Sequence, residues 1–206
     1  MTAGAVVDAK KAARRRVLAL RDTLTGEARA QKSAIISARL VSLPEFVSAR
    51  AVAGYVSFGT EFDTAAFLDA VLATGKRLLL PRVERESHRI QFHFVADLSD
   101  SLTPGPWGIR EPDPSRCPAA PASNIDFMLV PGVAFTPQRA RLGYGGGFYD
   151  AAIGTTRVGI PKVAAAFSVQ IVDSLPVEAH DRRVDLIVTE DAEYGARQRD
   201  ASSSDN

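Results

Sequence analysis

The chain has 206 residues, of which 46% are hydrophobic and 24% are charged, a composition typical of a globular protein with a sizeable core. Its formal net charge of +1 gives no overall attraction to nucleic acid or to a membrane surface, so any recognition of an anion has to be local. A single cysteine, Cys117, excludes an intrachain disulfide and a cysteine-rich zinc site, and its proline-rich surroundings predict an exposed loop thiol. No apolar run reaches the about 18–20 residues of a membrane-spanning helix, and we expect a cytoplasmic protein.

Two helices are predicted at the start of the chain, over residues 9–20 and 26–43, where strong helix formers carry apolar residues three and four positions apart. Pro44 is expected to end the second helix. In the first helix, Lys10 and Arg14 are four positions apart and therefore lie on one face. By itself such a pair is typical of a solvated basic surface.

A β-α-β unit is predicted next. The apolar runs AVAGYVSF (residues 51–58) and RLLLP (residues 77–81) have the composition of strands. The segment between them is a predicted helix with Asp63 as its N-cap and Gly75 just after its last turn. Because parallel strands are buried on both faces, they are expected to be continuous apolar runs of this kind.

The second half of the chain is predicted to contain further strands. Residues 89–95 (RIQFHFV) alternate as a strand does, and the proline-rich segment 99–123 is predicted to be one long loop. A buried strand in IDFMLVPGVAF breaks at Pro131-Gly132 and is followed by a glycine-rich loop and a short helix from about Phe148. The last predicted strands are TTRVGI, VAAAF and VDLIVTE.

Strands that alternate with helices predict an α/β protein, a three-layer fold around a mostly parallel sheet with helices on both faces. Neither an internal repeat nor a strong linker divides the sequence, so we expect one domain over residues 1–190. Residues 191–206 are polar and are predicted to be a disordered tail.

The glycine-rich stretch RLGYGGGFYD covers residues 141–150 and has four glycines in five positions, which a fold retains only where the backbone turns sharply or approaches something closely. It lacks the lysine and hydroxyl of a P-loop, and Phe148 stands where the dinucleotide fingerprint requires a glycine. Its successive N–H groups could nevertheless bind an anion before a helix N-terminus, with Arg141 adding positive charge and Asp150 a metal-binding carboxylate. From this loop alone, phosphate binding and a simple tight turn both remain open.

Three segments, in their order and spacing, together resemble the 5-formyltetrahydrofolate cyclo-ligase family. They are KKAARRRV, VPGVAFTPQRARLGYGGGFYD and AAAFSVQIVDSLPVEAHDRRVDLIVTE, and LLLPRV and WGIREP match lesser landmarks of the family. The resemblance covers residues 10–190. Thr136, Arg139 and Phe148 depart from residues that are common in the family, which affects the expected loop geometry and one hydroxyl contact.

The resemblance implies a set of site residues. Those implied in catalysis are Arg141 and Tyr149. Those implied in ATP binding are Lys10, Arg14, Arg141, Leu142, Gly143, Tyr144, Gly145, Gly146, Gly147, Phe148 and Tyr149. Those implied in folate binding are Val56 and Glu61, and those implied in Mg²⁺ binding are Asp150 and Asp181. Without the resemblance, Glu61 would be interpreted as a solvated loop acid and Asp181 as a turn residue.

The resemblance also implies a reaction, in which ATP and Mg²⁺ drive the cyclisation of 5-formyltetrahydrofolate, or of its polyglutamates, to 5,10-methenyltetrahydrofolate with release of ADP and phosphate. Phosphorylation makes the formyl oxygen a good leaving group, and N10 can then close the ring. Phosphoryl transfer requires alignment and charge neutralisation rather than a covalent nucleophile, and the sequence offers no credible Ser-His-Asp set or reactive cysteine. We expect a monomeric enzyme without nucleic-acid or membrane partners.

Two other classes of function remain open at this point. One is a different ATP-dependent kinase or ligase on the same scaffold, which would form no methenyl product. The other is a nucleic-acid-binding module built on the KKAARRR helix, against which the near-neutral net charge and the lack of aromatic residues in that helix both argue.

Overall fold

The computed structural model describes residues 3–178 and 181–195. Within this part of the chain the α-helices are α1 (Ala3–Asp22), α2 (Gly26–Val41), α3 (Pro44–Ser48), α4 (Ala65–Ala73) and α5 (Phe148–Thr155). The strands are β1 (Ala51–Ala53), β2 (Arg77–Glu84), β3 (Arg89–Val95), β4 (Leu102–Pro104), β5 (Arg110–Pro112), β6 (Ala119–Ala120), β7 (Phe127–Val130), β8 (Ala134–Phe135), β9 (Arg141–Leu142), β10 (Lys162–Ala165), β11 (Leu186–Val188) and β12 (Glu193–Gly195). Short 3₁₀ turns cover Pro106–Gly108, Ala122–Asn124 and Ser168–Gln170.

The main sheet places eight strands of the described residues in the order β12-β11-β10-β7-β1-β2-β3-β6. The pairs from β11 to β2 are parallel, while β12, β3 and β6 pair antiparallel at the two sides. The predicted β-α-β unit is β1-α4-β2, with Val52 opposite Leu78. The prediction of a mostly parallel sheet is confirmed.

Helices cover both faces of this sheet. Because side chains alternate along a strand, Leu78 and Leu80 belong to the core on one face, whereas Leu79 between them belongs to the core on the other. Helices α2, α3 and α4 contribute to the first core through residues such as Phe67, and α5 contributes to the second through Ile153. The predicted three-layer α/β fold is therefore confirmed.

The first helix packs on a small hairpin rather than on the centre of the sheet. Val17 of α1 is fully buried in a separate cluster with Val133, Ala134 and Leu142, which lie on or beside the β8–β9 hairpin. This hairpin follows β7 and leads directly into the glycine-rich loop. The packing of α1 therefore brings its basic residues to that loop.

Some element boundaries differ from the predictions. The strand predicted over residues 51–58 ends at Ala53. The next residue has to be glycine, because a Cβ on Gly54 would lie 2.5 Å from Leu68 Cδ2 of α4. The predicted strand TTRVGI is wrong, since those residues end α5 and then turn at Gly159, where φ is +84°.

The proline-rich segment 99–123 is not one long loop, because it forms the β4–β5 hairpin and the edge strand β6. A ribbon or sheet edge tolerates proline, which lacks the N–H that a central strand needs. Cys117 in this segment is also not exposed: its side chain is buried in the first core, and its Sγ lies 3.5 Å from the carbonyl oxygen of Ser101.

The end of the described chain also departs from the sequence prediction. Residues Glu193–Gly195, which we expected in the polar tail, form β12 and pair antiparallel with β11. This pairing covers one side of β11, where an open edge would expose unpaired backbone groups. The rest of the predicted tail, residues 196–206, lies outside the described residues. None of the helices in the described part of the chain is both long and apolar enough to span a membrane.

Candidate active site

One face of α1 points towards the glycine-rich loop. Lys10, Arg14, Val17 and Arg21 follow one another at spacings of four, three and four residues, which places them on one side of the helix. Lys10 and Arg21 are 7% and 3% exposed and Arg14 is half-buried. The exposed basic residues elsewhere on this helix are Lys11, Arg15 and Arg16. The fold therefore turns inward the helix face that carries Lys10 and Arg14.

Lys10 connects α1 to the loop that precedes β11. Its Nζ donates to Glu178 Oε2 at 2.8 Å and to Asp181 Oδ2 at 2.6 Å. Burial alone would lower the pKa of Lys10, but the hydrogen bonds to Asp181 and Glu178 outweigh it and raise this pKa overall. Lys10 is therefore a cation at neutral pH, and it holds Asp181 beside α1.

The glycine-rich loop is held by its carbonyl groups. Arg14 Nε donates to the carbonyl oxygen of Gly143 at 2.7 Å, and His88 Nε2 lies 2.7 Å from that of Gly146. Since a carbonyl oxygen only accepts, His88 donates through Nε2. The backbone N–H groups of residues 145–147 donate to no other described residue. The loop thus directs its carbonyl groups to side chains and leaves exposed amide donors for an anion.

The glycines of this loop are needed for two different steric reasons, a positive φ at some positions and close contact with a side chain at others. Gly145 and Gly147 have φ values of +105° and +71°, which residues with a Cβ rarely adopt. A Cβ on Gly143 would lie 2.9 Å from Nη1 of Arg141, and one on Gly146 would lie 2.8 Å from the ring of Phe148. The loop therefore needs glycine both for its turns and for close approach.

Arg141 and Asp150 form an ion pair at the two ends of the loop. Nη2 of Arg141 donates to Asp150 Oδ1 at 2.7 Å, and its Nη1 donates to the carbonyl oxygen of Pro131 at 3.2 Å. The same Asp150 oxygen accepts the backbone N–H of Arg182 at 2.9 Å. Because Asp181 directly precedes Arg182, the two aspartates predicted to bind metal are brought to one region.

Two buried donors beside the loop have no hydrogen-bond partner among the described residues. They are Nε of Arg141 and the hydroxyl of Tyr149. Burial, and secondarily the charge of Glu61, raises the pKa of Tyr149 well above its ordinary value, so that this hydroxyl stays protonated. Buried donors without partners are rare in folded proteins, and these two would be satisfied by a ligand with acceptor oxygens.

Glu61 lies in a buried polar cluster on the segment between β1 and α4. Its Oε1 accepts from the Tyr144 hydroxyl at 2.7 Å and its Oε2 accepts from the backbone N–H of Phe58 at 3.0 Å. Burial raises its pKa despite these hydrogen bonds and the charge of Arg21. Val56, on the same segment, is half-buried against the first core. Glu61 is therefore not a solvated loop acid.

The model of the 5-formyltetrahydrofolate cyclo-ligase family matches residues 6–190 of the chain. The chain belongs to this family. The family resemblance stated from the sequence, and the expectation of an enzyme of this class, are therefore confirmed.

Relatives and a solved structure agree with this assignment. The 5-formyltetrahydrofolate cyclo-ligase of Escherichia coli (strain K12) is 31% identical over 170 residues, which cover 82% of this chain and 93% of that protein. The enzyme of the same name from Mycolicibacterium smegmatis is 32% identical over 145 residues, 69% of this chain and 75% of that protein. The NMR structure of Aquifex aeolicus 5,10-methenyltetrahydrofolate synthetase superposes with a TM-score of 0.80 at 35% identity and covers 96% of both chains.

The carboxylate of Asp150 fits a metal ion that arrives with a phosphate ligand. Within residues 3–178 and 181–195, no group of three or more His, Cys, Asp or Glu side chains is arranged to hold a metal. Magnesium commonly takes only one or two protein carboxylates and completes its shell with phosphate oxygens and water. Oδ1 of Asp150 accepts two hydrogen bonds, whereas its Oδ2 accepts none from a described residue. That second oxygen is a suitable ligand for Mg²⁺.

Three rings form a cluster beside the loop, and they come from three separate segments. Phe148 stacks on His88 with ring centroids 4.3 Å apart and meets the edge of Trp107 at 6.2 Å. The guanidinium of Arg85 lies 5.2 Å from the centroid of the Trp107 ring. Trp107 is 64% exposed next to the glycine-rich loop.

Sequence reasoning missed several residues of the site. Arg21 could have been found, because it follows Arg14 by seven residues and so shares its helix face. His88 carries no local signal, since its contact with Gly146 joins residues 58 positions apart. Glu178 and Arg182 were hidden in the same way, as their partners lie in distant segments.

Proposed function

We propose that the protein uses ATP and Mg²⁺ to convert 5-formyltetrahydrofolate, and its polyglutamates, to 5,10-methenyltetrahydrofolate. One observation carries the proposal: two buried donors without partners, on Arg141 and Tyr149, lie at a glycine-rich loop whose amide groups also have no described acceptor. A phosphoryl group has enough acceptor oxygens to satisfy all of them. Membership of the family supports the folate as the other substrate.

The nucleotide would lie between the glycine-rich loop and the inner face of α1. Lys10, Arg14 and Arg141 offset the negative charge of the phosphates, and the amides of residues 145–147 donate to their oxygens. Asp150 and Asp181 would hold Mg²⁺, which when bound neutralises charge that develops on the transferred phosphoryl group. We propose that the enzyme acts as a monomer, without nucleic-acid or membrane partners.

The folate would bind so that its pterin N–H groups donate to Glu61, with Val56 against the apolar part of the ring. The folate would then lie near Tyr149, whose pKa is raised mainly by burial and in part by the charge of Glu61. Because its pKa is raised, the Tyr149 hydroxyl acts as a hydrogen-bond donor to the reacting oxygens and not as a base. Arg141 Nε, the other buried donor without a described partner, would have the same role.

We propose that these groups serve a reaction in which phosphorylation precedes ring closure. The formyl oxygen attacks the γ-phosphorus of ATP, the bond between that phosphorus and the bridging oxygen breaks, and ADP leaves. N10 attacks the activated formyl carbon and closes the five-membered ring. The C–O bond then breaks and phosphate departs with the proton from N10. The protein contributes alignment and charge stabilisation, which is what phosphoryl transfer requires.

The direct test is to mix the purified protein with 5-formyltetrahydrofolate and Mg-ATP and to follow the near-ultraviolet absorbance of the methenyl product together with phosphate release. We expect equal amounts of both products and no reaction when EDTA is present. A folded protein that binds ATP but forms no methenyl product would contradict the proposal. Consumption of ATP without that product would instead favour another kinase or ligase.

A further inference from the structure

The glycine-rich loop and the segment that carries Glu61 meet at a single tyrosine. The Tyr144 hydroxyl donates to Glu61 Oε1 at 2.7 Å and accepts from Nη1 of Arg21 at 3.2 Å. The Tyr144 ring also packs on the ring of Phe58, with centroids 5.1 Å apart. A residue of the expected phosphate loop is thus bonded to the carboxylate expected to bind folate.

The hydrogen bond from Tyr144 covers the Glu61 carboxylate, which folate has to reach in the proposed function. Glu61 is 7% exposed, whereas Tyr144, which bonds to it, is 42% exposed. The other Glu61 oxygen already accepts the backbone N–H of Phe58. Because the burial of Glu61 leaves little room around Oε1, an incoming N–H group competes there with the Tyr144 hydroxyl, which can make hydrogen bonds to water once it is displaced.

Tyr144 is flanked by Gly143 and Gly145, the residue type with the widest range of backbone conformations. The φ of +105° at Gly145 lies where residues with a Cβ are strained. Immediately before it, the carbonyl of Gly143 accepts from Arg14, one of the basic residues expected to contact phosphate. A displacement of Tyr144 therefore alters the part of the loop that Arg14 holds.

We propose that Tyr144 is a latch that occupies Glu61 until folate binds, so that folate binding releases the glycine-rich loop to close on the nucleotide. The latch rests on the proposed function, because Glu61 has to be the folate contact. It makes the binding of the two substrates mutually favourable, since each one favours the released state of the loop. Tyr144 is then a positioning residue that links the two halves of the site.

The test uses Tyr144→Phe, which removes the hydroxyl and keeps the ring on Phe58. The dissociation constant of 5-formyltetrahydrofolate is measured by calorimetry with and without a non-hydrolysable ATP analogue and Mg²⁺. In the wild type we expect the analogue to tighten folate binding. In Tyr144→Phe we expect folate alone to bind roughly tenfold more tightly, since it no longer displaces a hydrogen bond to a charged group, and we expect the effect of the analogue to be lost.

Tyr194→Phe is the matched control, because it removes the hydroxyl of a partly buried tyrosine on β12, outside the site. It should leave both dissociation constants unchanged. Folate binding that is unchanged in Tyr144→Phe would overturn the latch, and weaker binding would make Tyr144 a direct folate contact instead. If the wild type binds no 5-formyltetrahydrofolate, the proposed function fails together with the latch. If the wild type binds it and only Tyr144→Phe departs from the expected affinities, the latch alone is contradicted.

Discussion

Arg141 holds one oxygen of Asp150 and leaves the other open. The ion pair uses Oδ1, which also accepts the Arg182 backbone N–H, while Oδ2 accepts no hydrogen bond from a described residue. Asp181 is placed differently, since both of its oxygens lie within 2.8 Å of Lys10 Nζ. One aspartate is therefore ready to bind a cation, and the other is held by a side chain that is expected to contact phosphate.

We expect Asp150→Asn and Asp181→Asn to raise the Mg²⁺ concentration needed for half-maximal rate, each by about tenfold or more, because each removes a charge that attracts the ion. Folate affinity should be nearly unchanged. In free-energy terms, the double variant should lose less activity than the two single variants lose together, because the second change acts on a metal site that is already impaired. Initial rates measured across a Mg²⁺ titration give the Mg²⁺ requirement and the activity loss of each variant.

Asp126→Asn is the control for these variants. Asp126 forms an ion pair with Arg157 at 2.6 Å, just before β7 and therefore at the opposite end of that strand from the Pro131 bend. It should lower stability without moving the Mg²⁺ titration. The two aspartates do not share a metal ion if the activity losses of the single variants simply add in the double variant. The same conclusion follows if the Mg²⁺ titrations of the Asp150 and Asp181 variants match that of the wild type.

Tyr149→Phe should separate catalysis from stability. The Tyr149 hydroxyl is buried without a partner, so that its removal should leave the free energy of unfolding unchanged or raise it by up to about 1 kcal/mol. In contrast, kcat should fall at least about tenfold, because a donor to the reacting oxygens is lost. Ser37→Ala is the matched control, since the Ser37 hydroxyl on α2 is equally buried and unpartnered but lies outside the site. A large loss of stability in Tyr149→Phe, with kcat intact, would make this hydroxyl structural.

The parts of the site that could be predicted from sequence are those with a local cause. The Lys10–Arg14 face follows from helical periodicity, and the loop at residues 143–147 follows from the conformations that only glycine adopts readily. The fold class was predictable for the same reason, because buried parallel strands are continuous apolar runs.

The parts that could not be predicted depend on contacts between distant segments. Tyr144 was expected only at the nucleotide, yet it bonds to Glu61, 83 positions away. The burial of Cys117 depends on the β4–β5 hairpin and on β6, which the many prolines of that segment concealed. Polar composition predicts exposure on average, and tertiary pairing decides the individual residue.

Stability should depend on pH through Glu190, which joins α2 to the end of β11. Its Oε1 accepts from Lys32 Nζ and from Ser168 Oγ, both at 2.6 Å. Burial alone would raise the pKa of Glu190, but the hydrogen bonds from Lys32 and Ser168 lower it overall. A pKa that is lower in the folded state means that the ionised carboxylate stabilises the protein above the unfolded pKa of about 4.3, and that this stabilisation is lost as the pH falls through the folded value.

We therefore expect Glu190→Gln to lower the free energy of unfolding by about 1–3 kcal/mol at pH 7, and the difference from wild type to shrink as the pH falls below about 4.3. Urea unfolding at a series of pH values measures both. Glu86→Gln, at an exposed position in the turn between β2 and β3, should match the wild type throughout. A difference that stays constant with pH would mean that the charge of Glu190 does not contribute.

Trp107 should report nucleotide binding through Phe148. It is the single tryptophan of the chain, and the ring that it touches begins α5 directly after the glycine-rich loop. Any shift of that loop towards phosphate moves Phe148 against the indole. We expect a saturable change in tryptophan fluorescence on titration with Mg-ATP.

Gly146→Ala should weaken both the tryptophan fluorescence response and the binding of ATP. The added methyl group would lie 2.8 Å from the Phe148 ring, which has to move and leave its stacking on His88. We expect the apparent dissociation constant of ATP to rise by on the order of tenfold, because the loop amides lose their alignment. Gly154→Ala is the matched control. Gly154 lies within α5, and a Cβ added there would have no atom within 4 Å, so the change should stabilise the helix by up to about 1 kcal/mol without changing ATP binding. If Gly146→Ala binds ATP as tightly as the control does, the amides of this loop do not bind the phosphates.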